Sequence, residues 1–135
     1  MTVPGDPSST LAAEPAEMAY HEPTDLALVR DFVHTRALAL GLPELRAELL
    51  TLAVSELATN TLQHATGGGL VRISARPGAI VCDVLDQGPL RALGHTMPAA
   101  DAIRGRGLAI VERLCDEVTV VTEAERTRVR LIMYR

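Results

Sequence analysis

Residues 56–65 read Glu-Leu-Ala-Thr-Asn-Thr-Leu-Gln-His-Ala and close a long apolar stretch that Pro43 is well placed to open as a helix running to about Ala65. At about 100° per residue, Leu45, Leu49, Leu52, Ala53 and Leu57 fall within an arc of roughly 140°. Glu48, Thr51, Ser55 and Thr59 lie on the opposite, wetted side. Glu56 and Asn60 do not join them: this reckoning puts both in the middle of the apolar arc, one turn apart. A carboxylate turned toward a protein interior costs several kcal/mol unless it is paired or reaches a cleft. Two readings stay open. Either the layer beneath the helix ends before Glu56 and both residues are wet, or the pair lines a polar pocket. In a pocket, Asn60 would offer a neutral carbonyl oxygen to a magnesium ion, and Glu56 would orient or deprotonate an attacking hydroxyl. His64, another turn on, reads as a structural hydrogen-bonding residue.

Working outward, Thr24 or Asp25 can cap a first helix whose Leu26, Val29, Val33, Ala37 and Leu40 share a face, and Gly41 ends it. The two helices should pack as a hairpin. Residues 1–20, rich in Pro, Ala, Ser and Glu, are expected to form a flexible tail with a short edge strand near Met18 to His21, leaving 21–135 as the domain. Downstream, Gly67-Gly68-Gly69 breaks the chain, and strands are expected at Leu70–Ala75 and Ile80–Leu85 around the turn Arg76-Pro77-Gly78-Ala79. A loop from Asp86 to Gly105, with a short helical piece around Ala99–Ile103, leads into a third helix near Gly107. Strands at Val118–Thr122 and Arg128–Tyr134 follow. The order ααββ-loop-αββ predicts an α/β two-layer sandwich: a mixed, mostly antiparallel sheet with helices on one face.

Two further segments carry chemistry. Asp86-Gln87-Gly88-Pro89 follows a hydrophobic strand. It reads either as a capped turn or as a nucleobase contact. In the second case the Asp86 carboxylate accepts the exocyclic amino group of adenine and repels the oxygen that guanine carries there, while Gly88 lets backbone approach the ring. Gly105-Arg106-Gly107-Leu108 opens the third helix, either as a tight connection or as an anion site built from free amides, with Arg106 adding charge.

Composition narrows the classes. With 135 residues, 47% of them hydrophobic, the chain suits one domain with its own core. Thirteen basic against seventeen acidic side chains give a formal charge of −4, which argues against direct nucleic-acid binding through a basic surface. Tyr20, Phe32 and Tyr134 are the only aromatics, too few for base-stacking platforms. Every basic residue is arginine, so a P-loop lysine, a protein-kinase lysine and Schiff-base chemistry are excluded. Cys82 and Cys115 lack metal-ligand spacing and read as buried thiols. No stretch is long and apolar enough to span a membrane, and no export signal is visible, so a cytoplasmic protein is expected.

Taken in order, ELATNTLQHA (56–65), DQGP (86–89) and GRGLAIVERL (105–114) resemble the N, G1 and G2 boxes of the GHKL, or Bergerat, ATP-binding fold, over roughly residues 25–135. Arg126-Thr127-Arg128-Val129 resembles the G-T-x-V strand of that fold, with Arg126 in place of the glycine. Within the superfamily the chain looks most like the small anti-sigma-factor serine kinases, given its size, the short segment between the G1 and G2 motifs and the L-x-x-x-E-L-x-x-N run. The resemblance implies ATP and magnesium on the helical side of the sheet, Glu56 as catalytic base and Asn60 as the magnesium ligand. It also implies Asp86, Gly88 and Thr127 at the adenine, and Gly105, Arg106, Gly107 and Leu108 around the phosphates. The partners it implies are a sigma factor, with Arg30 as a protein contact, a STAS-type anti-anti-sigma substrate, and a second copy in a homodimer. Thr61 departs from the small apolar residue usual in the N box. The segment 90–104 lacks a lysine or second glycine to close over the γ-phosphate, a place Arg91 or Arg104 would have to fill. A non-catalytic ATP-binding module that sequesters a partner is the alternative reading. A histidine-kinase fragment is disfavoured because neither His21 nor His34 has phosphoacceptor surroundings.

Overall fold

A computed structural model describes residues 15–64, 67–86, 108–123 and 126–135. Its elements are β1 (Ala16–Tyr20), α1 (Leu26–Ala39), α2 (Glu44–His64), β2 (Gly69–Arg76), β3 (Ala79–Asp86), α3 (Leu108–Leu114), β4 (Glu117–Glu123) and β5 (Arg126–Tyr134). The strands form one sheet in the order β1-β2-β3-β5-β4, antiparallel at all four pairings. The α/β sandwich predicted from the sequence is therefore present, with its sheet wholly rather than mostly antiparallel among the described residues. The expected edge strand is β1, so residues 16–20, counted in the sequence-based tail, belong to the sheet. The rest of that tail up to residue 14, and the helical piece around Ala99–Ile103, lie outside the described residues.

Period-two alternation decides which side of the sheet is covered. Val71 and Ile73 of β2, Ile80, Cys82 and Val84 of β3, and Val129, Leu131 and Met133 of β5 are buried on one face. Their register runs straight across it: Val71↔Val84↔Val129 and Ile73↔Cys82↔Leu131. Against this face lie Val29, Val33 and Ala37 of α1 and the buried side of α2. Burying such side chains contributes about 1.5–3 kcal/mol each and holds the two layers together.

The α1–α2 connection follows from its glycine. Gly41 sits at φ 101, and Leu42 N–H donates to the Ala37 carbonyl while Gly41 N–H donates to Leu38. Those paired bonds close α1 with a left-handed cap and reverse the chain into α2, giving the hairpin expected from the sequence.

The face of α2 differs from the sequence expectation. Leu45 and Leu52 are 66% and 49% exposed, whereas Ala47, Leu50, Ala53, Val54, Leu57, Ala58, Asn60 and Thr61 are buried. The buried arc is turned by about 90° from the leucine-centred one. Small side chains let the helix sit close to the sheet and α1, and that close packing outweighs leucine count. Asn60 remains on the buried side, near its border. Glu56 stands just beyond that border and is half-buried, not in the middle of the apolar arc.

Candidate functional site

One end of the helix-covered sheet face is polar where the rest is apolar. Tyr20 pairs with Gly69 and Gly69 with Asp86, so these three occupy one row across β1, β2 and β3. The β3–β5 ladder runs to Leu85↔Arg128. At the next position Thr127 N–H donates 3.0 Å to Asp86 Oδ2, a side chain standing where a backbone acceptor would. Thr127 thus extends the row onto β5, and Thr122 of β4 pairs with it beyond. The C-terminal half of α2 brings Asn60 and Thr61 onto the same side of the sheet.

These groups are buried, with hydrogen-bonding capacity left over. Asn60, Asp86 and Thr127 are at most 7% exposed and Tyr20 is fully buried. Yet among the described residues Asn60 Nδ2, Asp86 Oδ1, Thr127 Oγ1 and Tyr20 Oη have no hydrogen-bond partner. Folded proteins satisfy the large majority of buried polar atoms, so these four are candidates to meet a ligand. Thr61 is not one of them, since its Oγ1 donates to the Leu57 carbonyl at 3.0 Å. That bond explains how a hydroxyl is tolerated at a position where the resemblance leads one to expect a small apolar side chain.

Burial pushes the Asp86 carboxyl above its ordinary value, and the Thr127 amide and the Arg126 guanidinium pull it back in part. The outcome is a carboxylate poised to gain a donor. Burial likewise raises the Tyr20 phenol, with the neighbouring Thr61 hydroxyl pulling it back in part and the Asp86 charge adding to the shift, so that hydroxyl keeps its proton.

Of the sequence-based set, Asp86 and Thr127 are in contact, Asn60 is buried on α2, and Glu56 is half-buried on the same helix. Leu108 opens α3 as a buried residue. Gly88, Gly105, Arg106 and Gly107, with Arg91 and Arg104, lie outside the described residues. Arg30 is apart from the row: it is exposed on α1 and its Nη1 reaches Ser55 Oγ of α2 at 3.4 Å. Sequence reasoning missed Tyr20, which it had assigned to a tail. A signal was available in the spacing of Tyr20 from the first helix and in a glycine at the start of β2, but pairing the two requires the sheet register.

No curated protein matches the sequence significantly. Among solved structures, the RsbU and RsbW domains of Rv1364c from Mycobacterium tuberculosis align with a TM-score of 0.70 at 18% identity over 90% of this chain. The chain spans 32% of that longer one, and at this identity the likeness speaks for the fold alone. No helix among the described residues is long and apolar enough to cross a membrane. Residues 20–133, nearly the whole of the sheet and helices built up above, match the family described as the histidine kinase-like ATPase domain, and the chain belongs to that family.

Proposed function

We propose that this domain binds ATP with magnesium and works as a cytoplasmic anti-sigma factor with protein serine kinase activity, holding a sigma factor as a homodimer and phosphorylating a STAS-type anti-anti-sigma protein. The observation that carries the nucleotide part is the pair of buried oxygens Asp86 Oδ1 and Thr127 Oγ1, which have no hydrogen-bond partner among the described residues. They stand at the positions that the motif resemblance assigns to adenine. Family membership and the likeness to an RsbW-containing structure support the regulatory part.

In this reading Asp86 Oδ1 accepts the adenine amino group, and Thr127 adds a hydroxyl beside it. Gly88 permits close approach to the base, and Gly105, Arg106, Gly107 and Leu108 surround the phosphates. Magnesium, held through the Asn60 carbonyl oxygen, would neutralise charge on the phosphates. Glu56, half-buried at the rim of the α2 face, orients the substrate serine in this reading and takes its proton. The serine oxygen bonds to the γ-phosphorus as the bond from that phosphorus to the bridging oxygen breaks, and ADP leaves. Phosphoryl transfer depends on positioning and charge stabilisation more than on covalent chemistry, so this short set of groups suffices. Arg30, exposed on the helical hairpin, serves the protein contact.

Two measurements test this. Thermal unfolding with ATP and magnesium should show added stability of about 2.7 kcal/mol at a hundredfold excess over the dissociation constant, with GTP giving little. Incubation with a co-encoded STAS-type protein should yield phosphoserine, and Glu56→Ala should abolish transfer while sparing nucleotide binding. Nucleotide binding without transfer to any such protein leaves the sequestering module as the function. No shift with either nucleotide removes both.

A further inference from the structure

The Tyr20 hydroxyl is the one orphan in the polar row that no motif accounts for. Its side chain is fully buried and its Oη has no hydrogen-bond partner. Thr61 is beside it and gives its own proton to the Leu57 carbonyl, but no hydrogen bond of normal geometry joins the two hydroxyls. A core tyrosine that served packing alone would leave a buried donor idle at a cost comparable to a lost hydrogen bond.

The position of that hydroxyl is set by a glycine. A Cβ added to Gly69 would lie 2.2 Å from both Cζ and Oη of Tyr20. The tyrosine ring therefore crosses over β2 at Gly69 and carries its oxygen toward Asp86, the register partner of Gly69 on the next strand. Neighbouring strands are about 4.8 Å apart, so Tyr20 Oη comes to stand on one side of the Asp86 carboxylate. Thr127 stands on the other, on β5. Across β1/β2, β3 and β5 the order is hydroxyl, carboxylate, hydroxyl.

We propose that Tyr20 is a specificity-determining residue of the nucleotide pocket, donating its hydroxyl proton to one of the two ring nitrogens that flank the adenine amino group. The inference rests on the ATP-binding reading and deepens it. The amino group of adenine is a donor between two acceptors, N1 and N7. A carboxylate between two hydroxyls is the complementary pattern, and Tyr20 supplies the flank opposite Thr127. Guanine puts an oxygen where the amino group stands, so its pattern meets the carboxylate with an acceptor and fails. Tyr20 thereby gives β1, an edge strand outside every motif, a direct part in base choice.

The test uses the full chain and ADP, 1-deaza-ADP and 7-deaza-ADP as probes in calorimetric titrations. Wild type should lose about three- to tenfold in affinity with each deaza analogue, the worth of one hydrogen bond. Tyr20→Phe should bind ADP weaker by a similar factor and should no longer distinguish ADP from one of the two analogues. Thr127→Val should become blind to the other. Without nucleotide, Tyr20→Phe should melt at or above the wild-type temperature, because an idle buried hydroxyl has been removed. If Tyr20→Phe binds ADP as wild type does and keeps both deaza penalties, the role assigned to Tyr20 is wrong while nucleotide binding stands. If wild type binds no adenine nucleotide, the pocket reading fails and Tyr20 falls with it.

Discussion

Asp86 has to answer two demands at once. One carboxylate oxygen takes the Thr127 amide and so closes the end of the β3–β5 pairing, while the other is left buried without a donor. Because burial raises the carboxyl pKa in the folded chain, the unfolded chain releases this proton first as pH rises. The buried charge therefore costs stability above the raised value, and that cost fades as pH falls toward the ordinary aspartate range near about 3.9. Asp86→Asn should consequently melt at or above wild type near neutral pH, with the difference shrinking in acid, as scanning fluorimetry across that range would show. The same substitution sets an amide donor against the adenine amino group. Its ATP shift should vanish, and an unchanged shift would remove Asp86 from the base contact.

Pairing of β1 with β2 runs from Ala16↔Ile73 to Tyr20↔Gly69 and ends on an interlocked pair. Gly69 is a strand residue whose missing side chain is filled by the ring of Tyr20. A methyl there cannot be accommodated beside the ring, so Gly69→Ala must expel the tyrosine or part the strands. Loss of a fully buried aromatic costs about 3–5 kcal/mol in comparable cores. Gly69→Ala should be destabilising by about 2 kcal/mol or more in denaturant unfolding, yet much milder when introduced into Tyr20→Ala. Additive effects would show that the two do not meet. The helical hairpin shows a related economy. Its buried face mixes alanines and valines with Leu50 and Leu57, while its leucines 45 and 52 are left outside.

The domain as a body begins earlier than composition suggests. A chain starting at Pro15 keeps every contact described above. One starting at His21 loses β1, bares the edge of β2 and removes Tyr20 from the core. It should be destabilised by several kcal/mol and lose adenine nucleotide affinity in the same titration. Equal stability of the two truncations would return residues 16–20 to the tail. On the covered face, the apolar middle of the sheet carries stability while the polar end holds the candidate site, so the two lie apart along the length of the strands.

Much of this was legible in one dimension because it is local. Period-two alternation placed the strands, Gly41 placed the hairpin, and the short runs around Asn60, Asp86 and Thr127 carried the motif resemblance, since each depends on neighbours a few positions apart. Which side of α2 is buried was not legible, because the sheet and α1 select small side chains for close packing and a count of leucines cannot show that. The part of Tyr20 was not legible either. Its ring lies over Gly69, beside Asp86, through a register that joins residue 20 to 69 and 69 to 86, a relation that exists only when three strands lie side by side.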